Sequence, residues 1–430
     1  MTTMSNHKFS VLIATRERCD TLRWSLETCV TQGYENLEIL VSDNFSQDDT
    51  KAVVQSFSDP RIRYVNTGRR LSMSHSFEFA LSHATGDYAT FLGDDDGLLP
   101  NAIEDVAKLA SNSRPDAIAW QKARYYWPTY IADGYRDSLH ISLIPGWVTC
   151  QTKAAISRLL NFAPSKQHLP YEELPGLYNS FVRMDVVNRI KKLSSGNQFF
   201  HSLNPDMYSA IAVSLLIDSF IFHYRPLSIG GTSGHSNGAS YLIKGEQGHA
   251  AKKFLSEENI PFHPKLKFCP SIPVMIAEAF LQAQENLRVD ATSNYQINWD
   301  RLMTVAMLQL ADTSDTQRKT ILDTLGQISE TFDTQVKPVA KTTQTDHPLT
   351  SAKPLYGLNP VGKVLVLDGK KLGINNIYDA CKKCGQILDS IDQRSVLTDT
   401  KDTLAFFKHV LQNRGLSWPI RKIRTKLIGR

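Results

Sequence analysis

The chain has 430 residues, of which 42% are hydrophobic and 21% charged, with a net charge of +5. That length calls for two domains rather than one core, and the composition excludes a disordered chain. No run approaches the roughly eighteen apolar residues of a membrane helix, and no secretory signal is visible in the short polar start. Six scattered cysteines make no disulfide framework, so a cytoplasmic location is expected. The charge is unevenly spread. Arg414 to Arg430 holds six basic residues and no acidic one, which leaves −1 for everything before it and predicts no nucleic-acid surface on the body.

In chain order, Phe9-Ser-Val-Leu-Ile-Ala14 is a short apolar strand of the kind buried in a parallel sheet. Leu22, Leu26, Cys29 and Val30 follow at helical spacing. Leu37 to Val41 is a second strand. Ser46-Gln-Asp-Asp49 resembles a capping box ahead of Val53, Val54 and Phe57. Ile62 to Val65, a helix through Met73, Phe77, Ala80 and Leu81, and Tyr88 to Leu92 continue the alternation. Pro100 opens a further helix through Ile103, Val106 and Leu109, and Ala117 to Trp120 is a fifth strand. Strands alternating with helices predict a mostly parallel, doubly wound α/β sheet, whose ligands bind beyond the carboxyl ends of the strands. The acidic residues fall at those ends: Asp43 after the second strand, Asp94-Asp95-Asp96 after the fourth. Three adjacent carboxylates repel one another unless they are solvated or neutralised by a cation, and a hard divalent ion is the usual partner. A solvated acidic turn is the alternative.

Residues 121–240 are less regular, rich in Tyr, Trp, Pro and Gly, and end in the loop Gly230 to Gly238. Residues 241–330 carry mainly helical pattern. Residues 331–361 are Thr-, Pro-, Lys- and Gln-rich and are expected to be a linker. Residues 362–430 are expected to form a mainly helical C-terminal module with the basic tail.

Five segments, in order, resemble the nucleotide-binding half of family-2 glycosyltransferases with the GT-A fold. They are Val11-Leu-Ile-Ala-Thr-Arg16; Leu26 through Gln32-Gly-Tyr34; Glu38-Ile-Leu-Val-Ser-Asp43-Asn-Phe-Ser46 with Asp48-Asp-Thr50; Ala84-Thr-Gly-Asp-Tyr88; and Phe91-Leu-Gly-Asp-Asp-Asp96. The resemblance implies a GT-A domain over residues 1–240, followed by a helical extension over 241–330. Asp43 would accept a hydrogen bond from the nucleotide base, with Thr15 and Arg16 lining the same pocket. Asp94 and Asp95 would contact ribose and metal, and Asp96 would ligate Mn²⁺ or Mg²⁺. Gly93 departs from the family's common "D-x-D-D" form, which leaves the roles of the three Asp residues open. His75 stands where many relatives carry Asn and receives no role.

An inverting transfer also needs a base for the acceptor hydroxyl. Family members place it at the start of a helix, where Asp206 in Asn204-Pro-Asp-Met-Tyr208 precedes an apolar helix; a plain N-cap is the alternative. Glu172 and Glu173 are the next candidates. His235, in the Gly-rich loop, is a candidate third metal ligand or diphosphate contact, against an ordinary surface histidine. Arg69 and Arg70 suit phosphate or simple solvation. Cys381-Lys-Lys-Cys384 has metal or redox spacing but no second pair, and reads as two ordinary thiols. In the tail, Ile420, Ile423, Leu427 and Ile428 at helical spacing among cations suit either an anionic membrane surface, peripheral at its inner face, or packing on the protein itself.

The expected reaction is metal-dependent, inverting transfer from a nucleotide-sugar donor, UDP-linked by preference, to a hydroxyl of a glycan or lipid-linked glycan in surface polysaccharide synthesis. The helical region is a possible dimer contact. A nucleotidyltransferase is the first rival, but it would carry a glycine-rich basic loop after the first strand, and Ala14 to Cys19 has no glycine. A non-catalytic nucleotide- or sugar-binding protein is the second, and turnover distinguishes it.

Overall fold

The structure, a computed structural model, describes residues 7–130, 134–163, 170–234, 236, 260–289, 294–310, 315–334, 356–359 and 363–391. Its first part follows the alternation read from the sequence: β1 (Phe9–Thr15), α1 (Cys19–Val30), β2 (Leu37–Asp43), α2 (Thr50–Gln55), β3 (Ile62–Asn66), α3 (Met73–Ser82) and β4 (Tyr88–Phe91). A two-strand-residue segment, β5 (Gly97–Leu98), precedes α4 (Ala102–Ser113) and β6 (Ala117–Trp120). All seven residues of β2 are buried, as the continuous apolar run of a strand covered on both faces requires. The capping box at Ser46 does not form. Asp48 instead accepts from the Thr50 N–H at 3.0 Å and starts α2, while Ser46 Oγ accepts from the Glu17 N–H and ties two loops together.

The remaining strands are β7 (Ala123–Tyr126), β8 (Ser138–Ser142), β9 (Trp147–Gln151), β10 (Ser180–Arg183), β11 (Ser219–His223), β12 (Ser228–Thr232), β13 (Gly357–Asn359) and β14 (Val364–Asp368). They complete two sheets. The first has eight strands in the order β3-β2-β1-β4-β10-β6-β11-β9. β10 runs antiparallel to both β4 and β6, and β9 antiparallel to β11, within an otherwise parallel sheet. The second has six strands in the order β13-β14-β8-β7-β12-β5. One face of the first sheet is covered by α1 and α4. The other is covered by α3 with α5 (Thr152–Leu160), α6 (Met184–Leu193) and α7 (Pro205–Leu216).

α8 (Ile272–Asn286) packs on α7, with α9 (Trp299–Gln309) and α10 (Asp315–Phe332) behind it. Pro273 to Ala283 are all buried, so α8 is covered on every side and serves as the inner layer of this helical region. Among the described residues after the expected linker, 363–391 share the core of the second sheet. β14 pairs with β8 from Val364↔Ser142 to Asp368↔Ser138. α11 (Ile377–Asp389) packs against α1 and β12, burying Ile377, Cys381, Cys384 and Leu388 with Tyr125, Leu139 and Ile229. The apolar run Val364–Leu367 could not bury its inner face alone, and the second sheet supplies the missing neighbour.

Candidate active site

The register of the first sheet sets Thr15 opposite Asp43 at the ends of β1 and β2, and β4 runs out beside them into Gly93 to Asp96. Asp43 is buried. Its carboxylate accepts from Tyr64 Oη at 2.6 Å, Asn66 Nδ2 at 2.9 Å and the Ser46 N–H at 2.9 Å, which fixes the loop after β2. Asp94 accepts from Thr15 Oγ1 and from Arg18 Nη1, both at 2.8 Å. Asp95 turns the other way and accepts from Ser233 Oγ at 2.7 Å and Ser236 Oγ at 2.5 Å. Asp96 accepts from Tyr178 Oη at 2.6 Å and from the Gly231 N–H at 2.7 Å.

Burial pushes the Asp94 carboxyl up and Asp95 adds to it, against the pull of Arg18. Burial, then repulsion from Asp95, pushes Asp96 up to about 6 despite Lys122, Tyr178 and the Gly231 N–H. Burial thus outweighs the turn's own partners at both carboxylates.

A small cavity of about 30 Å³ opens next to it, lined in part by Lys122, Tyr171, Glu172, Tyr178 and Asp206. Asp206 lies inside the first turn of α7. The N-cap is Asn204, whose side chain makes no capping bond, so the plain N-cap role for Asp206 is set aside. Asp206 accepts from Tyr171 Oη at 3.1 Å. Burial raises its pKa, while the Met207 N–H, Tyr171 and Lys122 offset part of that. Lys122 thus faces both Asp96 and Asp206.

Residues 10–155 match the profile described as Glycosyl transferase family 2. This segment is a family-2 glycosyltransferase domain. Over 107 residues the chain is 36% identical to GalNAc(5)-diNAcBac-PP-undecaprenol beta-1,3-glucosyltransferase of Campylobacter jejuni, covering 24% of this chain and 35% of that one. Over 101 residues it is 30% identical to the Escherichia coli UDP-Glc:alpha-D-GlcNAc-diphosphoundecaprenol beta-1,3-glucosyltransferase WfgD, covering 24% and 40%. The chain thus spans little more than a third of the length of these relatives. Among solved structures, S. aureus TarS 1–349 is similar with a TM-score of 0.40 and 13% identity, covering 76% of this chain and 89% of that one.

Within the glycosyltransferase domain, Gly93 has a physical reason. A Cβ there would lie 2.6 Å from Tyr178 Oη and 2.8 Å from Asp96 Oδ2, so the side chain of the more common Asp has no room. Arg16 is half-buried at the end of β1, and Arg69 and Arg70 are exposed after β3. Glu172 is not placed to act as a base. Its two oxygens are held by Lys122 Nζ at 2.7 Å and Arg124 Nη2 at 2.6 Å. Glu173 faces Arg158 at 3.8 Å and does not line the cavity. Cys381 and Cys384 are free thiols buried under the second sheet. His235 and the tail 414–430 lie outside the described residues.

Among the described residues, no three His, Cys, Asp or Glu side chains converge on one point. The donor chemistry nevertheless fits a hard divalent ion. Such ions are commonly held by one or two carboxylates, with substrate phosphates and water completing the shell, and Asp94 and Asp96 are buried carboxylates of one turn.

The sequence reading missed Arg18, Lys122, Tyr171, Tyr178 and the Gly231 N–H. Only the glycine at 93 signalled one of them, since it marks where Tyr178 comes close.

Proposed function

We propose that the chain transfers a hexose or similar sugar, with inversion, from a UDP-sugar to a hydroxyl of a lipid-linked glycan in surface polysaccharide synthesis. The observation that carries the proposal is the pairing of a buried acidic turn with a separate buried carboxylate, Asp206, which lines one cavity with Lys122 and with Tyr178, the hydrogen-bond partner of Asp96. The family match and the printed activities of the relatives support the donor and acceptor classes.

In this reading Thr15, Arg16 and Asp43 line the nucleotide pocket at the ends of β1 and β2. Asp96, with Asp94, would hold Mn²⁺ or Mg²⁺, and Asp95 holds the turn to the loop after β12 through Ser233. A bound divalent ion would stabilise the negative charge that develops on the departing diphosphate. Asp206 accepts the proton of the acceptor hydroxyl as that oxygen bonds the anomeric carbon. The bond from that carbon to the diphosphate oxygen breaks, and UDP leaves with the electron pair. A carboxyl whose pKa is raised by burial is the stronger base for this step. Lys122, held by Glu172, offsets part of the burial that raises the Asp206 pKa. No helix among the described residues is long and apolar enough to cross a membrane, so a lipid-linked acceptor would be met at a membrane surface.

The test is UDP release from a panel of UDP-hexoses and UDP-N-acetylhexosamines, with Mn²⁺, Mg²⁺ or EDTA. Metal-dependent release from one donor supports the reading. Binding of UDP without release from any donor supports the rival binding protein instead.

A further inference from the structure

Asn179 lines the Asp206 cavity together with Trp120, Lys122 and Tyr178. It stands where the chain turns into β10. Tyr178 bridges Phe91 in parallel sense, while Val182 pairs with Ala89 in antiparallel sense. Between them Asn179 takes a left-handed φ of 62°. Asparagine and glycine are among the residues that enter this region at least cost. Glycine alone would meet the turn, so the amide adds a hydrogen-bonding group that the turn does not require.

That amide is oriented from behind. The Trp120 indole N–H can only donate, and it gives its hydrogen to Ser228 Oγ at 2.8 Å. Ser228 is fully buried, and its own hydroxyl hydrogen goes to Asn179 Oδ1 at 3.4 Å. Oδ1 is therefore the end turned to β12, which leaves Nδ2 for the cavity. Asn179 is 7% exposed, and Nδ2 has no partner among the described residues.

The walls of the cavity select what can enter. Asp206 offers carboxylate oxygens, which accept, whereas Asn179 Nδ2 and Lys122 Nζ carry hydrogens, which donate. An anionic group would meet the carboxylates of Asp206 and Glu172, and an ammonium would meet Lys122. A hydroxyl both donates and accepts, so it satisfies the two walls at once. The volume of about 30 Å³ is the room of one water molecule and too small for a sugar ring.

We propose that Asn179 binds the oxygen of the attacking hydroxyl, donating to it from Nδ2 while that hydroxyl donates to Asp206. Ser228 and Trp120 are the positioning residues that hold the amide in this sense. The proposal rests on the transferase reading, with Asp206 as the base. One lone pair of the hydroxyl oxygen takes the amide hydrogen and its proton faces the carboxylate, so the other lone pair is free for the anomeric carbon. As that C–O bond forms, the proton passes to Asp206 and UDP leaves with the electron pair of the broken bond. Water offers the same donor and acceptor pattern as an alcohol, and the experiment separates the two.

The experiment follows UDP release by the full chain from the UDP-sugar it consumes, in Mn²⁺ or Mg²⁺, first without an acceptor and then with glycerol. Free sugar reports water as the occupant, and glyceryl glycoside reports an alcohol. Asn179→Gly keeps the left-handed turn; its kcat is expected to fall about ten-fold, with donor KM and calorimetric UDP affinity within about two-fold of the wild type. Asn179→Asp keeps the size and the bond from Ser228 but puts an oxygen where the amide nitrogen stood, and its kcat should fall further. It also keeps the test decisive if Asn179→Gly fails to fold. Ser228→Ala leaves the amide present but free to turn, and a smaller fall of about three-fold is expected. A fall in both products supports a site for any hydroxyl, and a fall in the glycoside alone supports a site for the acceptor's. Wild-type kcat in a folded Asn179 variant, or a change carried by donor KM alone, overturns the proposal. If the wild type releases no UDP from any donor, the transferase reading fails and takes this proposal with it.

Discussion

Glu278 offers a test of how the helical layer supports the site. It lies fully buried on α8, where it accepts from Ser202 Oγ at 2.6 Å, Gln282 Nε2 at 2.9 Å and the His263 N–H at 3.3 Å. Ser202 Oγ in turn accepts from the N–H of Asn204, the N-cap of the helix that carries Asp206. Burial outweighs these hydrogen bonds and pushes the carboxyl from 4.5 up to about 7. The folded state thus keeps a proton that the unfolded chain releases near 4.5. The stability this group contributes is fully present below that pH and is lost as pH rises through 7. At about 1.4 kcal/mol per pH unit, the loss amounts to about 3 kcal/mol. Glu278→Gln keeps the shape and has no charge to bury. His263 and its partner Glu285, the other titratable groups nearby, are the same in both proteins, so they cancel in the difference. Urea unfolding at pH 5, 6, 7 and 8 should find the two proteins close at pH 5 and the variant more stable by about 2–3 kcal/mol at pH 8. A difference that stays constant across that range would refute the reasoning.

Four other substitutions bear on the site and its surroundings. Glu172→Gln removes the carboxylate that holds Lys122 and Arg124 in a largely buried place and should cost about 3 kcal/mol in urea unfolding, whereas Glu173→Gln at its longer, more exposed pair should cost under about 0.5 kcal/mol. Gly93→Asp restores the more common motif but drives a side chain into Tyr178 and Asp96; a loss of at least about 2 kcal/mol is expected, read from the urea midpoint. Phe45 is 45% exposed and held at φ 59° in the loop after Asp43. Phe45→Gly relieves left-handed strain that roughly offsets glycine's entropy, so stability should stay within about 1 kcal/mol. UDP affinity, measured by calorimetry, should fall if the ring lies against the base.

The sheet, its crossover helices and the acidic strand ends were legible because each is encoded locally. β1, β2 and β4 are largely apolar runs covered on both faces; Asp43 ends β2, and Asp94 follows β4 within a few residues. Asp48 and Ser46 were read together, and only their hydrogen bonds separate the helix start from the loop tie. The far wall of the site was not legible. Tyr178 reaches Asp96 across 82 residues because β10 inserts antiparallel between β4 and β6. Lys122 is one polar residue after a strand until that insertion sets Asp96 and Asp206 around it. The place of Val364–Leu367 was equally hidden, since pairing with β8 has no signal in the run itself. Cys381 and Cys384, with metal or redox spacing but no second pair, lie buried under the second sheet.

The central claim, that Asp206 is the base of a metal-dependent sugar transfer, is tested most directly by comparing Asp206→Asn with the wild type on the UDP-sugar that supports turnover. The account predicts UDP release in Mn²⁺ or Mg²⁺ that EDTA abolishes, and a rate about 10²-fold or more lower in Asp206→Asn with UDP affinity unchanged. Turnover by Asp206→Asn at the wild-type rate would contradict it.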